Sequence, residues 1–286
     1  MKIQPGRMDG ALSRSETLMS IPEGSDIKKN NRLLWITGAS VKGRRHEQSG
    51  QPCQDAFAIS GEGERWGVAV ADGVGSATHA ETGASIAVNK AVQSLLSREQ
   101  NCTESQGEDL IRYAFLQARE AVVTEARAKG VSPSELASTL IVGYFKAGKI
   151  CIGHIGDGIV VGVKSGELKI LSSPDTGEYA NETACLVENN WEDNLRIIQP
   201  TEIDQCIIAT DGCQGALAIR KGGKFQPYEP FILPLLSFIS RKLGEHGNPD
   251  SDIAGLLASQ RMQEFSGDDK TLVVLVNPHH PDHPEG

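Results

Sequence analysis

The stretch "GVAVADGVGSATHA", residues 67–80, decides how the chain is read: an apolar run suited to a core ends on Asp72-Gly73 and turns at once into small residues. A buried unpaired carboxylate is costly, so the end of this strand demands a hydrogen-bonding partner, a cation or solvent. Two further apolar runs stop at the same dipeptide, "ICIGHIG" at Asp157-Gly158 and "CIIAT" at Asp211-Gly212. Asp268 in "SGDDKTLVVLV" just precedes a fourth strand, and Asp55 in "PCQDAFAIS" stands at the start of a fifth. Asp-Gly is a common turn dipeptide, and each instance alone reads as punctuation. The set reads differently, because Asp72 and Asp211 lead into helix-like segments of small residues rather than into a partner strand.

The order of elements says what surrounds these carboxylates. "RLLWITGASVKG" (32–43), "DAFAIS" (55–60) and "RWGVAVADG" (65–73) are strand-like. In the following segment Ala84, Ala87, Val88, Ala91, Val92 and Leu95 recur at helical spacing, and Ile111, Ala114, Phe115, Ala118 and Val122 form a second stripe. Strands resume with "STLIVGYF", "KICIGHIGDGIVVGV" and "ELKIL", joined by short turns, then "DQCIIATDG". Helical patterns around "FILPLLSFISRKLG" and "SDIAGLLASQRMQEF" precede a last strand, "KTLVVLVN". Strands joined by tight turns, with helices grouped in pairs, predict an α+β fold of two mainly antiparallel sheets covered by helices. Residues 1–31 are polar and aperiodic and read as a flexible extension, 32–277 as one domain, and 278–286 as a tail.

Composition narrows the function. The 286 residues carry 39% hydrophobic and 23% charged side chains, ordinary for a globular domain. A net charge of −9 without a basic stripe argues against a nucleic-acid backbone as the main partner. Cys53, Cys102, Cys151, Cys185, Cys206 and Cys213 are scattered, which indicates neither a zinc cluster nor a disulfide framework. No segment has the apolar core of a signal peptide or the length of a membrane span, so a cytoplasmic protein is expected.

Convergent carboxylates repel one another unless a cation sits among them. Oxygen ligands without a matching Cys or His set point to magnesium or manganese rather than zinc. Glycine after Asp72 leaves its backbone carbonyl accessible as a further ligand. Two such ions with a bridging water clamp a phosphoryl group and make the water a nucleophile. The chain shows no GxSxG and no reactive-Cys motif, so metal-assisted phosphoester hydrolysis is the reaction class these residues suit.

In this order, "QDA", "VADGVGSA", "STL…CIGHIGDG", "IIATDG" and "SGDDKTLVVLV" resemble the successive motifs of the type 2C metal-dependent protein phosphatases across residues 33–276. "HEQSGQPCQDA" (46–56) and "GEYAN" (177–181) resemble a bacterial subgroup of that family, often encoded beside a Ser/Thr kinase and a von Willebrand A protein. The resemblance implies a four-layer α-β-β-α sandwich and a Ser/Thr protein phosphatase acting on a phosphoprotein, with two Mn2+ or Mg2+ ions and a third, weaker site. It implies that Asp72 bridges the metals with the Gly73 carbonyl beside it. Asp211 and Asp268 would hold one metal, the second would be held through Asp55 or through water, and Asp157 would serve the third. Asp268 is preferred to Asp269 because it lies three residues before Thr271, as in the family's Asp-Asn-x-Thr.

Three positions depart from the family. Gln54 stands where a Glu is common, Val74 where relatives often hold a His acid, and Gly50 where a phosphate-binding Arg often lies. His46, Arg44 and Arg45, from the same loop, are the candidates to cover the last two roles, His being a ready acid near neutral pH. His154, inside an apolar strand, reads as a satisfied core residue, and His79 as structural. Glu178, Tyr179 and Asn181 are candidate contacts from a flap beside the site. A phosphoprotein-binding module without turnover is the alternative reading that these departures favour.

Overall fold

A computed structural model describes residues 34–99, 107–174 and 183–277. The candidates Glu178, Tyr179 and Asn181, and both terminal segments, lie outside the described residues. The elements run β1 (Trp35–Val41), α1 (Arg44–Ser49), β2 (Ala56–Glu62), β3 (Arg65–Ala71), α2 (Ala80–Glu99), α3 (Gly107–Lys129) and β4 (Leu140–Lys146). They continue β5 (Lys149–Ile155), β6 (Ile159–Lys164), β7 (Glu167–Ser172), α4 (Trp191–Asn194), β8 (Arg196–Glu202), β9 (Gln205–Ala209) and α5 (Gln214–Leu217). The hairpin β10 (Ala218–Lys221) and β11 (Lys224–Pro227), α6 (Glu229–Gly244), α7 (Asp250–Ala258), α8 (Gln260–Phe265) and β12 (Lys270–Val276) complete the order.

One five-stranded sheet has the order β1-β12-β9-β6-β7 and the other β2-β3-β4-β5-β8, every pair antiparallel. Val68, Val70, Ile141, Ile150, Ile152, Ile208, Val273 and Leu275 pack together between them. The opposite face of the second sheet is covered by α2 and α3, whose Ala84, Ala87, Val88, Ala91, Leu95, Ile111 and Phe115 are fully buried. The first sheet is covered by α6 and α7 through Phe231, Ile232, Leu236, Ile239, Ile253 and Leu257. Each large apolar side chain so buried contributes about 1.5–3 kcal/mol, and the helical stripes of the sequence are what supply them. The result is the α-β-β-α sandwich.

Some elements depart from the sequence reading. "KICIGHIGDGIVVGV" changes sheets at Asp157: β5 pairs with β4 and β8, whereas β6 pairs with β7 and β9. The helix expected over "SDIAGLLASQRMQEF" breaks into α7 and α8 at Ser259, whose backbone is extended and whose hydroxyl accepts from Met262 N. Helix α6 continues through Pro234. Strand β8, the β10–β11 hairpin and the one-and-a-half-turn α1 had no periodic signal long enough to show. Cys53, Cys151, Cys185, Cys206 and Cys213 carry free thiols. Among the described residues no helix is long and apolar enough to cross a membrane.

Candidate metal centre

Antiparallel register gathers the strand-ending carboxylates at one end of the two sheets. Ala56 pairs with Ala71, so the next step of the ladder sets Asp55 opposite Asp72. Ile159 pairs with Ala209, and the same extension sets Asp157 opposite Asp211. Val41 pairs with Lys270, which brings Gly43 to Asp268. Asp72, Gly73, Asp157, Asp211 and Asp268 line one cleft of about 490 Å³, together with Arg45, His46, Gln54, Val74, Thr139 and Thr183. Asp55 is not on its surface; it is buried next to Asp72 and accepts a 2.8 Å hydrogen bond from Thr210 Oγ1.

Asp72 is the central group. Its backbone is pinned, the amide donating to Thr139 Oγ1 (2.9 Å) and the carbonyl accepting from Thr139 N (2.8 Å). The bridge to Ser138 employs the carbonyls of Asp72 and Ala137 and leaves that of Gly73 outside the pairing. The Asp72 carboxyl lies within hydrogen-bonding reach of Asp55 and Asp211, and feels the charge of Asp157 as well. Burial, then these neighbouring charges, holds it well above the usual carboxylate range. Burial raises Asp55 to about 7 against the lowering hydrogen bonds of Thr210 and Thr271. Burial, then Asp157 and Asp268, raises Asp211 to about 6.

Four oxygens here are buried without a partner: Gln54 Oε1, Asp55 Oδ1, Asp157 Oδ1 and Asp211 Oδ1. Orphaned buried acceptors are rare, and a cluster of them beside mutually repelling carboxylates calls for a positive charge. Two like charges about 4 Å apart near a protein surface repel by about 4 kcal/mol, more than a hydrogen bond returns. Hard divalent cations meet both needs, and the donor set is all oxygen. Among the described residues the carboxylates line the cleft and do not converge into a closed cage of three ligands.

The cleft's other wall is knitted to the Asp268-Asp269 peptide. Asp269 is buried; its Oδ1 accepts from Gly43 N (2.6 Å), and its Oδ2 from Gln54 N (2.6 Å). Arg45 N donates to Gly267 O (3.0 Å), and the Arg45 guanidinium pairs with Asp268 at 3.1 Å. Two glycines permit this closeness: a Cβ on Gly43 would lie 2.1 Å from Asp268 C, and one on Gly212 would lie 1.9 Å from Asp269 O. Lys270, fully buried, donates from Nζ to the Asp268 carbonyl at 2.7 Å.

A sequence model of the protein phosphatase 2C family matches residues 42–258. The chain belongs to the protein phosphatase 2C family. It is 28% identical over 252 residues to serine/threonine-protein phosphatase 3 of Escherichia coli (strain K12), spanning 85% of this chain and 99% of that protein. The catalytic domain of the serine/threonine phosphatase PstP, solved with two manganese ions, superposes with a TM-score of 0.55 at 15% identity, over 85% of this chain and 97% of that one. PppA, a regulatory component of T6SS in Pseudomonas aeruginosa, gives a TM-score of 0.55 at 16% identity, over 86% and 98%. These structural likenesses carry the fold.

Within this member of the phosphatase 2C family, the residues singled out in the sequence divide. Asp72, Gly73, Asp157, Asp211, Asp268, Arg45 and His46 come together at the cleft, and Asp55 stands behind Asp72. Arg44 is exposed and is not among the cleft-lining residues. Val74 lines the cleft and packs beside Ala77, Ala80, Ala137 and Cys185. His154 is buried, with Nδ1 on Ser172 Oγ at 2.7 Å and Nε2 without a partner, so it is half satisfied rather than satisfied. Burial, then Arg196, holds it well below the usual imidazole range and therefore neutral. His79 donates its backbone amide to Glu135 O beside the start of α2. In the sequence Asp269 reads only as the alternative ligand to Asp268, and Lys270 goes unnoticed; the one available signal is two acids and a lysine in succession before an apolar strand.

Proposed function

We propose that this chain is a divalent-cation-dependent phosphatase that hydrolyses phosphoserine and phosphothreonine in a protein substrate. The observation that carries the reading is the cluster of orphaned oxygens on Gln54, Asp55, Asp157 and Asp211 around Asp72, in a cleft open to substrate. A module that merely bound phosphoprotein would gain nothing from carboxylates facing a dianion; catalysis with cations does. Asp72, with the Gly73 carbonyl, is suited to bridge two Mn2+ or Mg2+ ions. Asp211 and Asp268 would hold one ion, Asp55 with Gln54 would serve the other, and Asp157 would serve a third, weaker position. When bound, the ions supply the charge that makes water nucleophilic near neutral pH and neutralises the phosphoryl oxygens.

The chain's own groups then have distinct tasks. The Thr210 and Thr139 contacts fix Asp55 and the Asp72 backbone, so the carboxylates are held before substrate arrives. Arg45 reaches the cleft from α1 and is placed to engage a phosphoryl oxygen in exchange for Asp268. A substrate of this kind is made by a Ser/Thr kinase, and the reading extends to a cognate kinase whose product this protein reverses. The test is phosphate release from matched pSer, pThr and pTyr peptides and from small metabolite phosphates, with Mn2+. Preference for the pSer and pThr peptides supports the reading, and preference for small metabolites over all three peptides overturns it.

A further inference from the structure

Val74 offers no proton at the position after Asp72-Gly73, yet an alkoxide leaving group needs one. The described residues lining the cleft offer few donors. Arg45 is paired with Asp268, Gln54, Thr139 and Thr183 are neutral amides or hydroxyls, and the lining carboxyls of Asp72, Asp157, Asp211 and Asp268 are the groups that would hold cations, which leaves His46 as the lining side chain of a type that exchanges protons near neutral pH. His46 is held in one orientation: Nδ1 lies 2.8 Å from Asp269 Oδ2, with side-chain exposures of 13% and 2%. Asp269 already accepts the Gly43 and Gln54 amides at 2.6 Å, so its carboxyl is fixed in orientation, turned toward the loop, while Asp268 beside it lines the cleft.

Resting on the reading of the cleft as a phosphatase site, we propose that Asp269 is a positioning residue that sets His46 as the proton donor to the leaving oxygen. The carboxylate keeps a proton on Nδ1 and so leaves Nε2 as the nitrogen that serves the cleft, the arrangement by which a buried Asp orients an imidazole in other hydrolases. In the step, the bond from phosphorus to the seryl or threonyl oxygen breaks and its electron pair goes to that oxygen. The Nε2 proton moves onto it, giving the hydroxyl side chain. The oxygen of water forms the new bond to phosphorus; one of its protons stays on the phosphate, the other passes to solvent, and solvent restores the proton to His46. The loop that carries α1 thereby supplies the acid that Val74 lacks.

The test compares two substrates with Mn2+ present: a phosphothreonine peptide, whose alkoxide must be protonated, and 4-nitrophenyl phosphate, whose phenolate leaves unaided. His46→Gln keeps a donor toward Asp269 and leaves both amide bonds of Asp269 intact. It is expected to lower kcat on the peptide on the order of 100-fold, and on the aryl ester by no more than about 3-fold, with KM held. Asp269→Asn should lower the peptide rate about 10-fold with the same asymmetry, and the double variant should be no slower than His46→Gln. Equal losses on both substrates, or multiplied losses in the double variant, would overturn the proposal and leave His46 and Asp269 structural. If the wild-type protein hydrolysed neither substrate, the phosphatase reading itself would fall and this inference with it.

Discussion

Asp55 and Asp72 face one another across the β2–β3 ladder, close enough for their carboxyls to share a hydrogen bond and too buried for both to ionise without compensation. An Asp that titrates near 3.8 when unfolded but near 7 when folded, as Asp55 does, holds its proton in the folded state alone across that window. Its stabilising contribution is full below about pH 4 and is lost as the pH rises through about 7. Asp211, at about 6, and Asp72 act in the same direction. In chelator, the carboxylate cluster therefore weakens the protein between about pH 4 and pH 7. Mn2+ should raise Tm more at pH 7.5 than at pH 5, as measured by scanning calorimetry with and without chelator. An equal Mn2+ effect at both values would contradict this.

Asp72→Asn removes the central charge. The chelated variant should be more stable than wild type at pH 7.5, by about 1 kcal/mol for each pKa unit of repulsion relieved, and should no longer gain stability from Mn2+. The comparison isolates the carboxylates, because His154, which costs stability as the pH falls below 6.5, is present in both proteins. Chemical denaturation with and without Mn2+ reads both quantities. A destabilised Asp72→Asn in chelator would count against carboxylate repulsion.

Gly212→Ala tests the clamp on the Asp268-Asp269 peptide. With a Cβ 1.9 Å from the Asp269 carbonyl, the backbone must shift, and a loss of about 3 kcal/mol is expected from urea unfolding. Activity should fall with it, since Asp268 moves. Gly50→Ala is the control: no atom lies within 4 Å of its added Cβ, so only the local cost of its positive φ, about 1 kcal/mol, is expected.

Lys270→Met leaves the Asp268 carbonyl without its buried donor and removes a cation from beside the acids. A loss of about 1–3 kcal/mol is expected, with a reduced turnover number. Wild-type stability in Lys270→Met would show that the contact contributes nothing net.

The layers were legible because alternating runs and helical stripes report burial directly. Ala84, Ala87, Val88, Ala91, Val92 and Leu95, and Ile111, Ala114, Phe115, Ala118 and Val122, are the residues buried in the core beneath the helices. The strand-ending acids were legible because a charge at the end of an apolar run needs a reason. Register was not, since it depends on which strands pair: the "CIGHIGDGIVV" run reads as one segment and only the sheets divide it at Asp157. Asp269 illustrates the same limit. Next to Asp268 it looks like a duplicate ligand, and its orientation toward Gly43, Gln54 and His46 is fixed by contacts more than 200 residues apart in sequence. Arg44 and Arg45 were equivalent in sequence, and the turn of α1 brings only Arg45 to the cleft.

The most direct test of the central claim is phosphate release from a phosphothreonine peptide as a function of Mn2+ concentration, wild type against Asp72→Asn. No release is expected in chelator, with a saturable rise with Mn2+ in the wild type and a loss of about 100-fold or more in Asp72→Asn. Absence of release at every Mn2+ and Mg2+ concentration, or an undiminished rate in Asp72→Asn, would contradict it.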